Sequence, residues 1–118
     1  MSKILIADDN AQNLYLARFL LEKQGHQVDE AVNGALAVEA VNNNIYDLIL
    51  MDIQMPVLDG LGATRQIKSQ SNPPVIVALT AKAMPGDAAK ILAAGCDGYI
   101  SKPIESSSFS NQVESYLK

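Results

Sequence analysis

The sequence predicts an α/β domain: a five-stranded parallel sheet of strand order 2-1-3-4-5, doubly wound, with helices on both faces. Three observations lead there. Short apolar or β-branched runs alternate five times with segments of helical spacing, and that alternation implies parallel strands joined by right-handed crossovers. The runs differ in how apolar they are, which separates buried central strands from edges. A chain of 118 residues, 48% of them hydrophobic, suffices for one core and not two, so residues 1–118 are expected to form a single domain without an output domain.

The strands are expected at Ile4 to Ala7 (ILIA), Gln27 to Ala31 (QVDEA), Asp47 to Met51 (DLILM), Val75 to Thr80 (VIVALT) and Gly98 to Ser101 (GYIS). The first, third and fourth runs are nearly all apolar, as strands covered on both faces must be. The second carries Gln27, Asp29 and Glu30, and the fifth is short and mixed, which makes these two the edges. Strand order 2-1-3-4-5 satisfies this and is the flavodoxin-like arrangement. Between the strands, Leu14, Ala17 and Leu21 form one helical stripe that Gly25 is placed to end. Leu36 and Ala40 form a second after Asn33, a suitable N-cap. Leu61, Thr64 and Ile67 mark a third, and Ala88, Ile91 and Leu92 a fourth before Gly95. Phe109, Val113, Tyr116 and Leu117 mark the last, while Lys68 to Pro74 (KSQSNPP) reads as a loop.

Bulk chemistry narrows the function. A formal net charge of −4 argues against gripping a phosphate backbone, so no direct nucleic-acid partner is expected. A single cysteine, Cys96, excludes an intrachain disulfide and a cysteine metal cluster, and suits the cytoplasm; it is expected to be a small buried hydrophobe. The start of the chain, MSKILIADDN, has too short an apolar run for a signal peptide and looks like a native start, and no run reaches membrane-spanning length. His26, the sole histidine, follows Gly25 in a turn and is expected to be solvated.

In open α/β sheets the working crevice lies beyond the carboxyl ends of the strands. Those ends carry Asp8 and Asp9 after the first strand, Asp52 after the third, Thr80 after the fourth and Lys102 after the fifth. Carboxylates brought this close repel one another unless a proton or a cation sits among them. Magnesium suits them, being a hard ion held by carboxylates and phosphate oxygens, whereas zinc or copper would want histidine or cysteine. An ammonium and a hydroxyl beside such a metal fit the charge and an equatorial oxygen of a phosphoryl group, and Asp52 is the carboxylate best placed to attack phosphorus.

These residues carry a resemblance. The chain resembles a response-regulator receiver domain of the CheY-like type over essentially its whole length, in DD at Asp8 and Asp9, MDIQMPVLDG from Met51 to Gly60, LTA from Leu79 to Ala81 and YISKP from Tyr99 to Pro103. The resemblance implies Asp52 as phosphoacceptor, Asp9 as a direct magnesium ligand, Asp8 as its partner through water and the backbone carbonyl of Gln54 as a further ligand. It implies Thr80 and Lys102 as contacts of the phosphoryl group and Tyr99 as an aromatic switch that turns inward with Thr80. Pro103 would follow a cis bond from Lys102, and Gly60 belongs to the turn after the site. The finer pattern DDNAQN, MDIQMP and TAKAMPGD (Thr80 to Asp87) is similar to receivers of hybrid kinases and of stand-alone regulators. That implies two-component signalling in which a histidine kinase or histidine phosphotransfer protein supplies the phosphoryl group. The domain would then reach a downstream protein through the fourth helix, fifth strand and fifth helix, roughly Pro85 to Lys118. Self-catalysed transfer and autodephosphorylation would be its only chemistry.

Two departures stand out. Gly62 occupies a position where a stronger helix former is usual and should weaken the start of the third helix, and the serine-rich last helix lacks the charge pattern of dimerising regulators, so a monomer is expected. Three rival readings differ at particular residues. A phosphorylation-independent protein-binding module of the same shape would not need Asp8, Asp9, Asp52, Thr80 and Lys102 together. A flavin carrier would want a phosphate-cradling loop where the chain has ADDNAQN. An aspartate-nucleophile phosphatase would want an aspartate at the position of Gln54. Met55 and Met84 are expected to pack near the site rather than to ligate.

Overall fold

In the computed structural model, which describes residues 2–55, 57–81 and 85–117, the chain alternates strands and helices throughout. The strands are β1 (Lys3–Ala7), β2 (Gln27–Ala31), β3 (Leu48–Asp52), β4 (Val75–Thr80) and β5 (Gly98–Ser101). The helices are α1 (Ala11–Lys23), α2 (Gly34–Asn43), α3 (Gly60–Lys68), α4 (Pro85–Ala93) and α5 (Phe109–Leu117). All pairings are parallel and the order is β2-β1-β3-β4-β5, as the apolarity of the runs requires. Every residue of β3 is buried, whereas β5 alternates buried and exposed along its four residues.

Strand alternation sorts the core into two layers. Ile4, Ile6, Leu48, Leu50, Val77 and Leu79 meet α1 and α5 through Leu14, Ala17, Leu21, Phe109 and Val113. Leu5, Ala7, Ile49, Met51, Ile76 and Ala78 face the other way, onto Ala37, Ala63, Ile67, Ile91 and Cys96. Side-chain caps set where helices begin. The Asn10 side chain accepts from the Asn13 amide, Asn33 from the Leu36 amide and Asp59 from the Gly62 amide. Gly25 ends the first helix at φ +91°, a conformation that side chains with a Cβ rarely adopt.

Several readings need correction. In α2 the buried positions are Gly34 and Ala37, while Leu36 is 43% exposed, because Gly34 packs directly against the Leu58 carbonyl and thereby fixes the rotation of the helix. Leu92 is also exposed, and Ile91 is the buried residue among the described side chains of α4. Lys68 belongs to α3 rather than to the loop after it. His26 is buried, its ring bonded on both nitrogens. Met55 packs in the second core layer, as expected, and Met84 lies outside the described residues, as do Pro56 and Lys82 within the quoted motifs.

Gly60 opens α3 directly beneath the last residue of β3. A Cβ there would collide with the Asp52 carbonyl and the Ile53 Cα, both main-chain atoms with no rotamer to yield. Gly60→Ala should therefore destabilise the fold by about 1–3 kcal/mol, the usual cost of overpacking, despite the better helix propensity of alanine. Urea unfolding followed by circular dichroism measures this; a midpoint equal to or above that of the wild type would refute the steric account.

Candidate functional site

Four strand ends and the loops after them enclose a cleft of about 740 Å³ at the carboxyl edge of the sheet, lined by Asp8, Asp9, Asp52, Gln54, Thr80 and Lys102 among others. Asp8 follows β1 and is fully buried, Asp9 beside it is exposed, and Asp52 is the last residue of β3 and 5% exposed. Adjacent parallel strands bring these ends together because β1 and β3 run in register, with Ala7 opposite Met51. Thr80 ends β4 and is buried. Its carbonyl accepts the Lys102 amide at 2.7 Å, which fixes the chain just beyond β5 and directs Lys102 into the cleft.

The Lys102 ammonium bridges two carboxylates, 3.2 Å from Oδ2 of Asp8 and 3.2 Å from Oδ2 of Asp52. The other oxygens are held by the local backbone. Oδ1 of Asp8 accepts the Asn10 amide at 2.9 Å, and Oδ1 of Asp52 accepts the Gln54 amide at 3.1 Å. One oxygen each from Asp8, Asp9 and Asp52 lie within 4.8 Å of one another. Burial pushes the Asp52 carboxyl above its ordinary range and the neighbouring Asp8 charge adds to that; the Gln54 amide and Lys102 pull back without cancelling it.

Among the described residues a single ammonium, that of Lys102, faces the three carboxylates, so their charge is only partly balanced there. The donors are all hard oxygens, with no histidine or cysteine in the cluster, and that set fits magnesium and does not fit zinc or copper.

The remaining expected residues are placed as follows. Tyr99 sits on β5 opposite Ala78, 38% exposed and outside the cleft lining. Pro103 follows a cis bond from Lys102, and Gly60 lies buried under β3. Two polar residues of the cleft, Asn10 and Asn13, are not among the residues expected from the sequence. Asn10 supplies both the α1 cap and an amide to Asp8, and the Asn13 side-chain amide donates to Oδ2 of Asp8 at 3.3 Å. Their spacing within DDNAQN, which puts both at the first turn of α1 directly after the paired aspartates, was the available signal.

Comparison with known proteins agrees with this geometry. The family model described as the response regulator receiver domain matches residues 4–114. The polar-differentiation response regulator DivK of Brucella anthropi is 41% identical over 117 residues, covering 97% of this chain and 94% of that protein. The hybrid signal transduction histidine kinase G of Dictyostelium discoideum is 47% identical over 108 residues, 87% of this chain but only 3% of the kinase. The receiver domain of the sensor histidine kinase PA1611 of Pseudomonas aeruginosa, solved with magnesium coordinated in its active-site cleft, has a TM-score of 0.90 at 36% identity, covering 98% of this chain and 97% of that one. A co-crystal structure of the Saccharomyces cerevisiae histidine phosphotransfer protein Ypd1 with the receiver domain of the response regulator Ssk1 matches with a TM-score of 0.90 at 32% identity, covering 97% of this chain and 87% of that one. Fold, cleft and sequence agree, and the chain belongs to the response-regulator receiver family of two-component signalling.

Proposed function

We propose that this receiver domain takes a phosphoryl group from a phosphohistidine onto Asp52, with magnesium bound beside it, and passes the resulting change to a protein partner. The observation that carries the reading is the Lys102 ammonium set 3.2 Å from both buried carboxylates, Asp8 and Asp52, with the Asp9 carboxylate beside them. The yeast phosphotransfer protein in complex with a similar receiver supports a histidine kinase or histidine phosphotransfer protein as the donor.

In this mechanism an Asp52 carboxylate oxygen attacks phosphorus as the bond from phosphorus to the imidazole nitrogen breaks, and the electron pair leaves with the imidazole. Asp8, Asp9, Asp52 and the Gln54 carbonyl would hold magnesium, which supplies positive charge opposite the phosphoryl oxygens when bound. Lys102 turns from its carboxylate partners to the arriving phosphoryl oxygens, and the Thr80 hydroxyl donates to another of them. Tyr99, three residues before Lys102, follows Thr80 inward from its exposed position. The phosphoryl group thus favours one of two conformations of the surface formed by α4, β5 and α5, where the downstream partner binds. Water later hydrolyses the acyl phosphate without a separate enzyme. The domain is read as a cytoplasmic monomer with no nucleic-acid partner; among the described residues no helix is long and apolar enough to cross a membrane.

Intact mass after incubation with acetyl phosphate tests the acceptor. A phosphate adduct should form with magnesium, fail to form with chelator, and be absent from Asp52→Asn. An adduct that persists in Asp52→Asn would place the acceptor elsewhere. Asp9→Ala should weaken magnesium binding by roughly tenfold or more, about 1.4 kcal/mol, as read by calorimetry; unchanged affinity would remove Asp9 from the ligand set.

The buried charge makes a separate prediction about stability. Because the Asp52 carboxyl is raised in the folded state, the fold holds that proton more tightly than the unfolded chain does. Its contribution is most favourable in acid and declines as pH rises through the ordinary carboxylate range, about pH 4, toward the raised value. In chelator at neutral pH, Asp52→Asn should be the more stable protein, with the gap closing below about pH 4. Denaturant midpoints across pH read this directly, and a variant less stable than the wild type at neutral pH would contradict it.

A further inference from the structure

His26 stands at the edge of the sheet opposite the cleft, with its ring held from two sides. Its Nδ1 accepts the Ser2 amide at 3.1 Å, and its Nε2 lies 2.6 Å from Oε1 of Glu114 on α5. A backbone amide can only donate and a carboxylate can only accept, so the arrangement fixes the tautomer: Nδ1 bare, Nε2 carrying the hydrogen. The ring side chain is 5% exposed, while Glu114 is 40% exposed. The backbone closes the same corner, since the His26 amide donates to the Leu21 carbonyl of α1 and the Gln27 amide donates to the Ser2 carbonyl at 2.9 Å.

We propose that His26 is a one-sided proton latch, joining the segment before β1 to α5 when neutral and releasing only the former when protonated. A second proton must go to Nδ1, where it meets the Ser2 N–H donor head-on, and that hydrogen bond is lost. The other side is retained, because Nε2–H still points at a carboxylate and now carries a positive charge toward it. The surrounding ionisable groups do not compete. Glu22 and Lys23, in the last turn of α1, are exposed and bond elsewhere or not at all to the ring, and the Lys3 ammonium of β1 donates to Asn44 and lies over the Tyr46 ring. Among the described residues Glu114 is the one ionisable side chain bonded to the imidazole. Acid would therefore loosen the first strand's entry while α5, one wall of the surface assigned above to the downstream partner, stays anchored. The latch itself is independent of that assignment and of phosphorylation.

Two measurements on the full chain test it. Long-range nitrogen-15 spectra of the imidazole at about pH 8 should show the Nε2–H tautomer; the Nδ1–H tautomer would overturn the proposal. Amide exchange, corrected for intrinsic rates, should then show the Gln27 amide losing roughly tenfold in protection on going from about pH 8 to about pH 5, with α5 amides around Val113 unchanged. Equal loss at both places would mean the latch opens as a whole, and no loss at Gln27 would mean no latch; either result overturns the proposal. His26→Gln, which still reaches Glu114 but does not titrate, should abolish the pH step, and His26→Asn, which still offers Ser2 an acceptor but falls short of Glu114, should lower α5 protection at every pH. A pH step that survives in His26→Gln would assign it to another group.

Discussion

The structure depends on the cost of holding two carboxylates, Asp8 and Asp52, out of water and next to each other. Nothing about the fold requires charge there; β3 is apolar up to its last residue, and a neutral end would bury at less cost. What makes the arrangement tolerable is that each carboxylate is already engaged. Both share the Lys102 ammonium, Asp8 takes an amide from Asn10, and Asp52 takes one from Gln54. Those partners come from the first turn of α1, the loop after β3 and the chain beyond β5, so the parallel register of the sheet is what lets a short-range electrostatic problem be solved by residues far apart in sequence. The compensation is incomplete, and an incompletely compensated acidic cleft has affinity for a divalent cation.

Much of this was legible in the sequence because two independent patterns converge. Apolarity ranked the strands, and the polar residues interrupted that pattern only at strand ends, where a doubly wound sheet puts its working edge. β2, β4 and β5 fall where their runs begin and end, and β3 is displaced by one residue so that Asp52 lies within it. The illegible features all rest on contacts between distant segments. His26 looks like a turn residue until α5 brings Glu114 to it across 88 positions. Tyr46, which no sequence pattern singles out, is buried with its hydroxyl donating to Asp29 at 2.7 Å, and burial together with that carboxylate pushes its phenol upward. The face of α2 is shifted for the same reason: a glycine at its first turn meets the Leu58 carbonyl, and Leu36 is left exposed while Ala40 still packs against the core.

Val57 is the least readable residue between β3 and α3. It is 83% exposed and takes φ 71°, in the left-handed region that a β-branched side chain strongly disfavours. Its neighbours over-determine the conformation. The Leu58 carbonyl accepts the Gly34 amide at 3.0 Å, the Gly60 amide donates to the Ile53 carbonyl, and Asp59 caps α3. Strain at one residue is held by ordinary hydrogen bonds on both sides.

The two edges of the sheet are built on opposite terms. At the amino edge, polar groups are paired locally and redundantly. Asp47 donates its amide to the Lys3 carbonyl and accepts the Lys3 amide on its side chain, while Asp97 makes the same reciprocal pair with Ile76 and also holds Lys68. Away from the His26 corner, these two carboxylates meet backbone amides or an ammonium, so a charge added at the opposite edge gives them no reason to rearrange. At the carboxyl edge one ammonium is divided between two acids and a third acid is left facing solvent. Under the function proposed above, adding a phosphoryl group to Asp52 changes the charge balance only at this second edge, and it does so where Lys102 has competing partners to choose between. A domain in which one end is closed by satisfied pairs and the other by a shared cation concentrates its response to added charge in the loops and strand ends that carry that cation, which here are those of β4 and β5.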